Sequence, residues 1–315
     1  MISSLLTTNY ANNLQSDFAR AVAKKEPFDA KRLELFENLY LYLKKCNFRH
    51  RRYKFNTSSY RNVSFFESYF SNFIEGIEFL LDEAEDIVFK GTEINNRYAD
   101  SHDVLTNYLL SNDFSEMNRT PKSATDLLNL LQKRHAYLMQ ERPDKTPGIF
   151  KEDSNKTGNT HFVLPDDVVV TLNQAFRFYE LLSDDNDSLA RALYIHFLIS
   201  EVHPFNDGNG KLSRIMMSTE LVKNGLFKVI IPAAHRENYL NGLRLASRDG
   251  NFYHYCKVLD QAQAYVETIN WQDYDDSRET IENNCADKTS DEGLPFFNRV
   301  LRNLDLSVFV TSTPY

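Results

Sequence analysis

Twelve consecutive residues, His203-Pro204-Phe205-Asn206-Asp207-Gly208-Asn209-Gly210-Lys211-Leu212-Ser213-Arg214, constrain this chain more than any other stretch, because they stop one helix and start another. The apolar run Leu193 to Val202 must end where Pro204 pushes His203 out of the helical region towards an extended conformation. From Lys211 the spacing of Leu212, Ile215, Met216, Thr219 and Val222 predicts a second helix, stopped by Gly225. Between the two, Gly208 and Gly210 let the backbone approach a ligand without Cβ interference, and Asn209 can take left-handed angles and offer an amide. Such a loop presents free N–H groups and roughly half a positive charge to an anion, which makes it a phosphate site. Lys211 and Arg214 on the first helical turn would reach distal phosphates, and Asp207 is a hard oxygen ligand for a Mg²⁺ riding on them. His203 is the group suited to take a proton near neutral pH.

A chain of 315 residues can bury a substantial core, and 42% hydrophobic with 25% charged residues is the balance of an ordinary soluble protein. With 36 basic and 44 acidic residues the net charge is −8, which disfavours wholesale nucleic-acid binding. Cys46, Cys256 and Cys285 are odd in number and far apart, so a reduced cytoplasmic setting is expected. No run approaches the roughly 18 apolar residues of a membrane span, and Met1 to Leu6 lacks the features of a targeting segment.

Residues 8–45 read as helical, with Phe18, Val22, Leu33, Phe36, Leu39, Leu41 and Leu43 near a 3.6 period and a break at Pro27. The basic, aromatic run 44–54 could grip RNA, an acidic partner or phosphate, but a solvated loop is the plainer expectation. Phe66, Phe70, Phe73, Ile77 and Leu81 mark an amphipathic helix over about 65–82, with Ser71 and Glu75 four apart on another face and Gly76 following. Residues 83–142 continue helical, and His135 is expected to be a packed or surface histidine. Gly148 to Lys151 and Thr157 to Pro165 have strand-turn-strand character. Two further helices occupy 167–202, divided by Ser183 to Ser188, whose last members suit N-caps. After the motif helix, Tyr239, Leu243 and Ala246 lie on another helix. Residues 261–315 carry ten acidic and four basic side chains; Trp271 to Glu292 reads as a loop, Leu294 to Leu304 as helical and Leu306 to Val310 as extended.

The stretch His203 to Arg214 resembles the Fic family motif, His-x-Phe-x-(Asp/Glu)-Gly-Asn-Gly-(Arg/Lys)-x-x-Arg, with Lys211 where Arg is usual. The resemblance implies a mainly α fold: a Fic helical core over 65–260, a β-hairpin flap over about 148–165, N-terminal helices over 1–64 and an acidic C-terminal appendage over 261–315. It further implies a protein adenylyltransferase that moves AMP from ATP, with Mg²⁺ at Asp207, to a Tyr, Thr or Ser hydroxyl of a target protein or of itself. His203 would be the base. Gly208, Asn209, Gly210, Lys211 and Arg214 would hold the phosphates, and Tyr239 the base of the nucleotide. Ser71, Glu75 and Gly76 resemble the inhibitory helix of autoinhibited members, which implies that Glu75 pairs with Arg214 and displaces the γ-phosphate. On the flap, His161, Phe162 and Val163 would dock the target. A homo-oligomer stays open. The same fold could instead remove AMP, transfer UMP or phosphate, or serve a regulatory protein that only senses the nucleotide.

Overall fold

The structure is a computed structural model that describes residues 28–54, 56–183 and 187–309. The expectations for Phe18, Val22, Asp184 to Asn186 and Val310 fall outside these residues. Helix α1 (Ala30–Leu43) begins where the Asp29 side chain accepts the Arg32 N–H at 2.9 Å, and α2 (Thr57–Ile74) begins at Asn56, whose side chain and that of Ser59 cap each other's backbone. There follow α3 (Leu81–Lys90), α4 (Tyr98–Asn112), the single turn α5 (Phe114–Met117) and α6 (Ala124–Leu138). The expected helix over 65–82 is therefore two: Gly76, at φ 84°, ends the first, and Leu80 opens the second.

The hairpin of β1 (Lys156–Thr157) and β2 (Thr160–His161) is antiparallel, with Lys156 opposite His161 and Thr157 opposite Thr160. Gly148 to Lys151, expected as a strand, is not one. Its backbone is used elsewhere: the Gly148 N–H donates to His135 Nδ1 at 2.9 Å and the Lys151 N–H to Pro204 O at 2.9 Å, which ties this segment to the loop after α8.

Helices α7 (Val168–Leu181), α8 (Ser188–Val202) and α9 (Asn209–Lys223) form the centre. Most side chains of α8 and α9 are buried on every face, the mark of core helices rather than surface ones, and the two pack against each other more extensively than any other pair. Helix α10 (Arg236–Asp249) packs on α11 (Phe252–Glu267), α1 on α7, and α2 on α4.

The C-terminal region corrects the sequence reading. Trp271 to Glu292 is largely helical: α12 (Tyr274–Asn283) is capped by Asp273, and α13 (Ser290–Leu301) docks on Ala233–His235. Its acidic residues cluster in first turns, Asp275 and Asp276 in α12, Asp291 and Glu292 in α13, where the helix dipole favours them. Trp271, Ile281, Ala286 and Phe297 are buried. The basic run 44–54 is a loop with its basic side chains exposed, as expected, except for one. Arg51 is 1% exposed and pairs with Asp260 at 2.6 Å, while its other nitrogen donates to Asp305 O at 2.8 Å. The boundaries expected near 64 and 261 fall inside α2 and α11. Among the described residues no helix is long and apolar enough to cross a membrane.

Candidate active site

The turn between α8 and α9 is built from below by His135. Its Nδ1 accepts the Gly148 N–H, so its Nε2–H donates to Asp207 O at 3.0 Å, and its ring stacks on Phe205 at 3.8 Å and 5°. Burial pushes the His135 pKa down to about 4, so the imidazole is a neutral structural piece. Asn209 closes the turn from above: its side-chain oxygen accepts the Phe205 N–H at 2.9 Å and its amide donates to Phe205 O at 2.8 Å. Here two expectations change. Asn209 is the first residue of α9, 1% exposed and without a left-handed backbone, so its amide fastens the loop rather than facing a ligand. The left-handed position is Gly208, at φ 70°, where a Cβ would sit 2.6 Å from Met139 Sδ.

His203 is left-handed rather than extended, at φ 52° and ψ 60°, because it closes α8 by donating its N–H to Ile199 O at 2.9 Å. Its Nδ1 lies 3.3 Å from Ser200 O, which can only accept. The proton therefore sits on Nδ1 and Nε2 carries the lone pair. Burial pushes the His203 pKa down to about 4, against the pull of nearby Glu75 and Asp207, so the ring is neutral at pH 7. Phe162 stacks on it at 3.8 Å and 5°.

A cavity of about 360 Å³ opens beside this histidine, within the size range of small-molecule sites, and its lining includes Glu75, Phe162, His203, Gly210, Arg214 and Tyr239. Arg214 reaches from the cavity to α2. Its Nε donates to Ser71 Oγ at 2.9 Å, and its Nη2 to Ser71 O at 2.9 Å and to Glu75 Oε1 at 2.6 Å. Burial pushes the Glu75 pKa up, but the charge and hydrogen bond of Arg214, with Lys211 and His203 adding to them, hold the carboxyl below its usual range. A Cβ on Gly210 would lie 2.2 Å from Glu75 Oε1, so the residue expected to make room for phosphate makes room here for a carboxylate.

Other expected site residues lie elsewhere. Lys211 turns away from the cavity: its Nζ is buried on Asp103 Oδ2 at 2.5 Å, and Asp103 also accepts from Arg142 Nε at 2.9 Å. Val163 is 1% exposed and belongs to the core, so it cannot meet a target. His161 is exposed on β2, with its carbonyl accepting from Arg32 at 2.6 Å. Asp207 is exposed, and one of its carboxylate oxygens accepts the Gly208 N–H at 2.7 Å. Tyr239 is 2% exposed at the wall of the cavity, with its hydroxyl on His196 Nε2 at 2.9 Å. Sequence reasoning missed Arg236, Arg244 and Arg248, which line the cavity from α10 with Leu240, Leu243 and Ser247. Their spacing of 236, 240, 243, 244, 247 and 248 is one helical stripe, and it was the available signal.

The structure resembles Fic-1 from C. elegans at 19% identity and a TM-score of 0.55, covering 82% of this chain and 78% of that one. It also resembles a Fic domain containing signaling protein from Bacteroides thetaiotaomicron at 17% identity and a TM-score of 0.54, covering 86% and 91%. The fold is the Fic fold. Residues 125–221 match the Fic/DOC family, and that segment holds the whole turn from α8 to α9. Curated relatives named protein adenylyltransferase Fic, from Drosophila persimilis and Drosophila mojavensis, are 26% and 27% identical over 190 and 189 residues. Those alignments cover 58% of this chain but only 37% of each relative.

Proposed function

We propose that this chain is an autoinhibited protein adenylyltransferase, transferring AMP from ATP to a Tyr, Thr or Ser hydroxyl of a protein. The observation that carries the reading is the shared guanidinium: Arg214 faces the same cavity as His203 and is held there by Ser71 and Glu75. In the reaction His203 Nε2 takes the proton of the acceptor hydroxyl as its oxygen bonds to the α-phosphorus, and the bond to the β-phosphate oxygen breaks to release pyrophosphate. Backbone N–H groups at the start of α9 stabilise the charge that develops on the α-phosphate. Arg214 takes the γ-phosphate only when Glu75 gives it up. The exposed Asp207 carboxylate fits a Mg²⁺ ion, which supplies charge neutralisation on the phosphates when bound. Among the described residues no group of three or more His, Cys, Asp or Glu side chains is placed to hold a metal, so nucleotide oxygens would complete its coordination.

Labelling with α- and γ-³²P ATP tests this reading. Label from the α position alone is expected, rising at least about tenfold in Glu75→Gly and falling roughly 10²–10⁴-fold in His203→Ala. Transfer from the γ position would replace AMP transfer by phosphate transfer, and equal labelling of wild type and Glu75→Gly would remove the autoinhibition.

A further inference from the structure

His203 has a left-handed backbone, which side chains other than glycine rarely adopt and which persists only where the surroundings hold it. Two residues of the segment leading into the β1–β2 hairpin do the holding. The carbonyls of Val202, His203, Pro204 and Phe205 follow one another through the turn after α8, and each accepts from Lys151 or Asn155. Lys151 Nζ donates to Val202 O at 3.3 Å and the Lys151 N–H to Pro204 O at 2.9 Å. Asn155 Nδ2 donates to His203 O at 3.4 Å and to Phe205 O at 2.9 Å.

The orientation of the Asn155 amide follows from Lys151. An ammonium has only donors, so the atom it meets at 2.7 Å is the amide oxygen, Asn155 Oδ1. The NH₂ group then faces the turn, and its two protons find the two carbonyls. Lys151 is 3% exposed, and among the described residues no carboxylate pairs with it. Its charge lies instead at the C-terminal end of α8, where the helix dipole favours a cation. The far end of the hairpin completes the arrangement: the Phe162 N–H donates to Asn155 O at 3.3 Å, and the Phe162 ring lies on the His203 imidazole at 3.8 Å. Backbone and ring of one histidine are thus held from the two ends of one hairpin.

We propose that Lys151 and Asn155 are positioning residues, which fasten the His203 backbone to the hairpin and so aim its Nε2 at the acceptor hydroxyl. The proposal rests on the reading that His203 is the base of AMP transfer. Neither side chain lines the cavity, so neither acts by touching the nucleotide. Their effect passes through the placement of the base, and a misplacement of about 1 Å at a reacting group can cost roughly a hundredfold in rate.

The test follows self-labelling from α-³²P ATP in the Glu75→Gly protein, as the rate at saturating ATP and as the ATP concentration that gives half that rate. Lys151→Met and Asn155→Leu remove the side-chain donors at similar size. Each is expected to slow the saturated rate roughly ten- to a hundredfold and to leave the half-saturating concentration within about twofold. Lys151→Arg, which keeps the charge and the donors, is expected to recover most of the rate. Ring ¹⁵N shifts of His203 at neutral pH give a readout that needs no activity: the parent should keep the proton on Nδ1, and both variants should exchange between the two tautomers. A saturated rate within about twofold of the parent in both variants overturns the proposal. So does a half-saturating concentration that rises in step with the lost rate, or a His203 ring that stays fixed with its proton on Nδ1 in both. If the parent itself takes no label from the α position, the adenylyltransferase reading falls, and the ring shifts alone decide whether Lys151 and Asn155 hold His203.

Discussion

Helix α2 and its C-cap carry two glutamates, Glu67 and Glu75, each paired with a cation from elsewhere in the fold, and the two pairs differ in kind. Glu67 meets Lys228 at 2.6 Å, with side chains 4% and 0% exposed, and it also accepts from Ser111 and Ser218. Lys228 in turn donates to Ser64 and Ser111. Every polar atom there has a partner from within the protein, so the pair can only be kept or broken at high cost. Glu75 meets Arg214 at the same 2.6 Å, but its side chain is 29% exposed, it is the C-cap residue of the helix, and it opens on the cavity. Distance does not tell a clamp from a switch; access to a competing ligand does. Ser218 of the first pair and Arg214 of the second stand one turn apart on α9, so the clamp sets the register in which the second contact is made.

Breaking the clamp should give the largest effect. Lys228→Met leaves a buried carboxylate unpaired and is expected to cost about 3–5 kcal/mol in urea unfolding, with part of the loss recovered in Glu67→Met/Lys228→Met. A loss under about 1 kcal/mol would show that the pair is not sealed. Acid should act on the fold before it acts on the switch. His135, His203 and His235 have pKa values near 4 and His196 near 3, all lowered by burial, whereas the unfolded chain titrates them near 6.5. Between about pH 6.5 and 4 the unfolded state therefore binds protons that the folded state does not. Stability is full above that window and falls through it, by up to about 1.4 kcal/mol per pH unit for each histidine. Glu75, held below its usual range, stays largely ionised down to pH 5, so Arg214 remains covered. Melting temperatures should drop from pH 6.5 to 5 with no gain in labelling; a burst of labelling on acidification would break the distinction. The smallest effect is expected for Glu75→Gln, a partly exposed pair whose loss should change stability by less than about 1 kcal/mol while labelling rises.

Some of this was readable in the chain. Helices with a local cause, such as α9 with its stripe from Leu212 to Val222, needed no distant partner to be recognised. The acidic segments α12 and α13 misled because charge at a helix start and charge in a loop look alike until the apolar residues beneath them find a surface, here Ile281 and Phe297. Arg51 misled for the same reason: a basic run reads as solvated unless an Asp260 two hundred residues later is folded onto it.

What the sequence determined by itself was the break between two core helices at His203 to Asn209 and the set of side chains able to handle phosphate there. What only the tertiary structure decided was which of them face the cavity. Lys211 and Arg214 are three residues apart on one helix, yet Lys211 is spent on Asp103 from α4 and Arg214 is shared between Ser71 and Glu75. The helical period puts both within the first two turns of α9, but the groove each enters is formed by helices more than a hundred residues upstream, and that phase is fixed only when the helices pack.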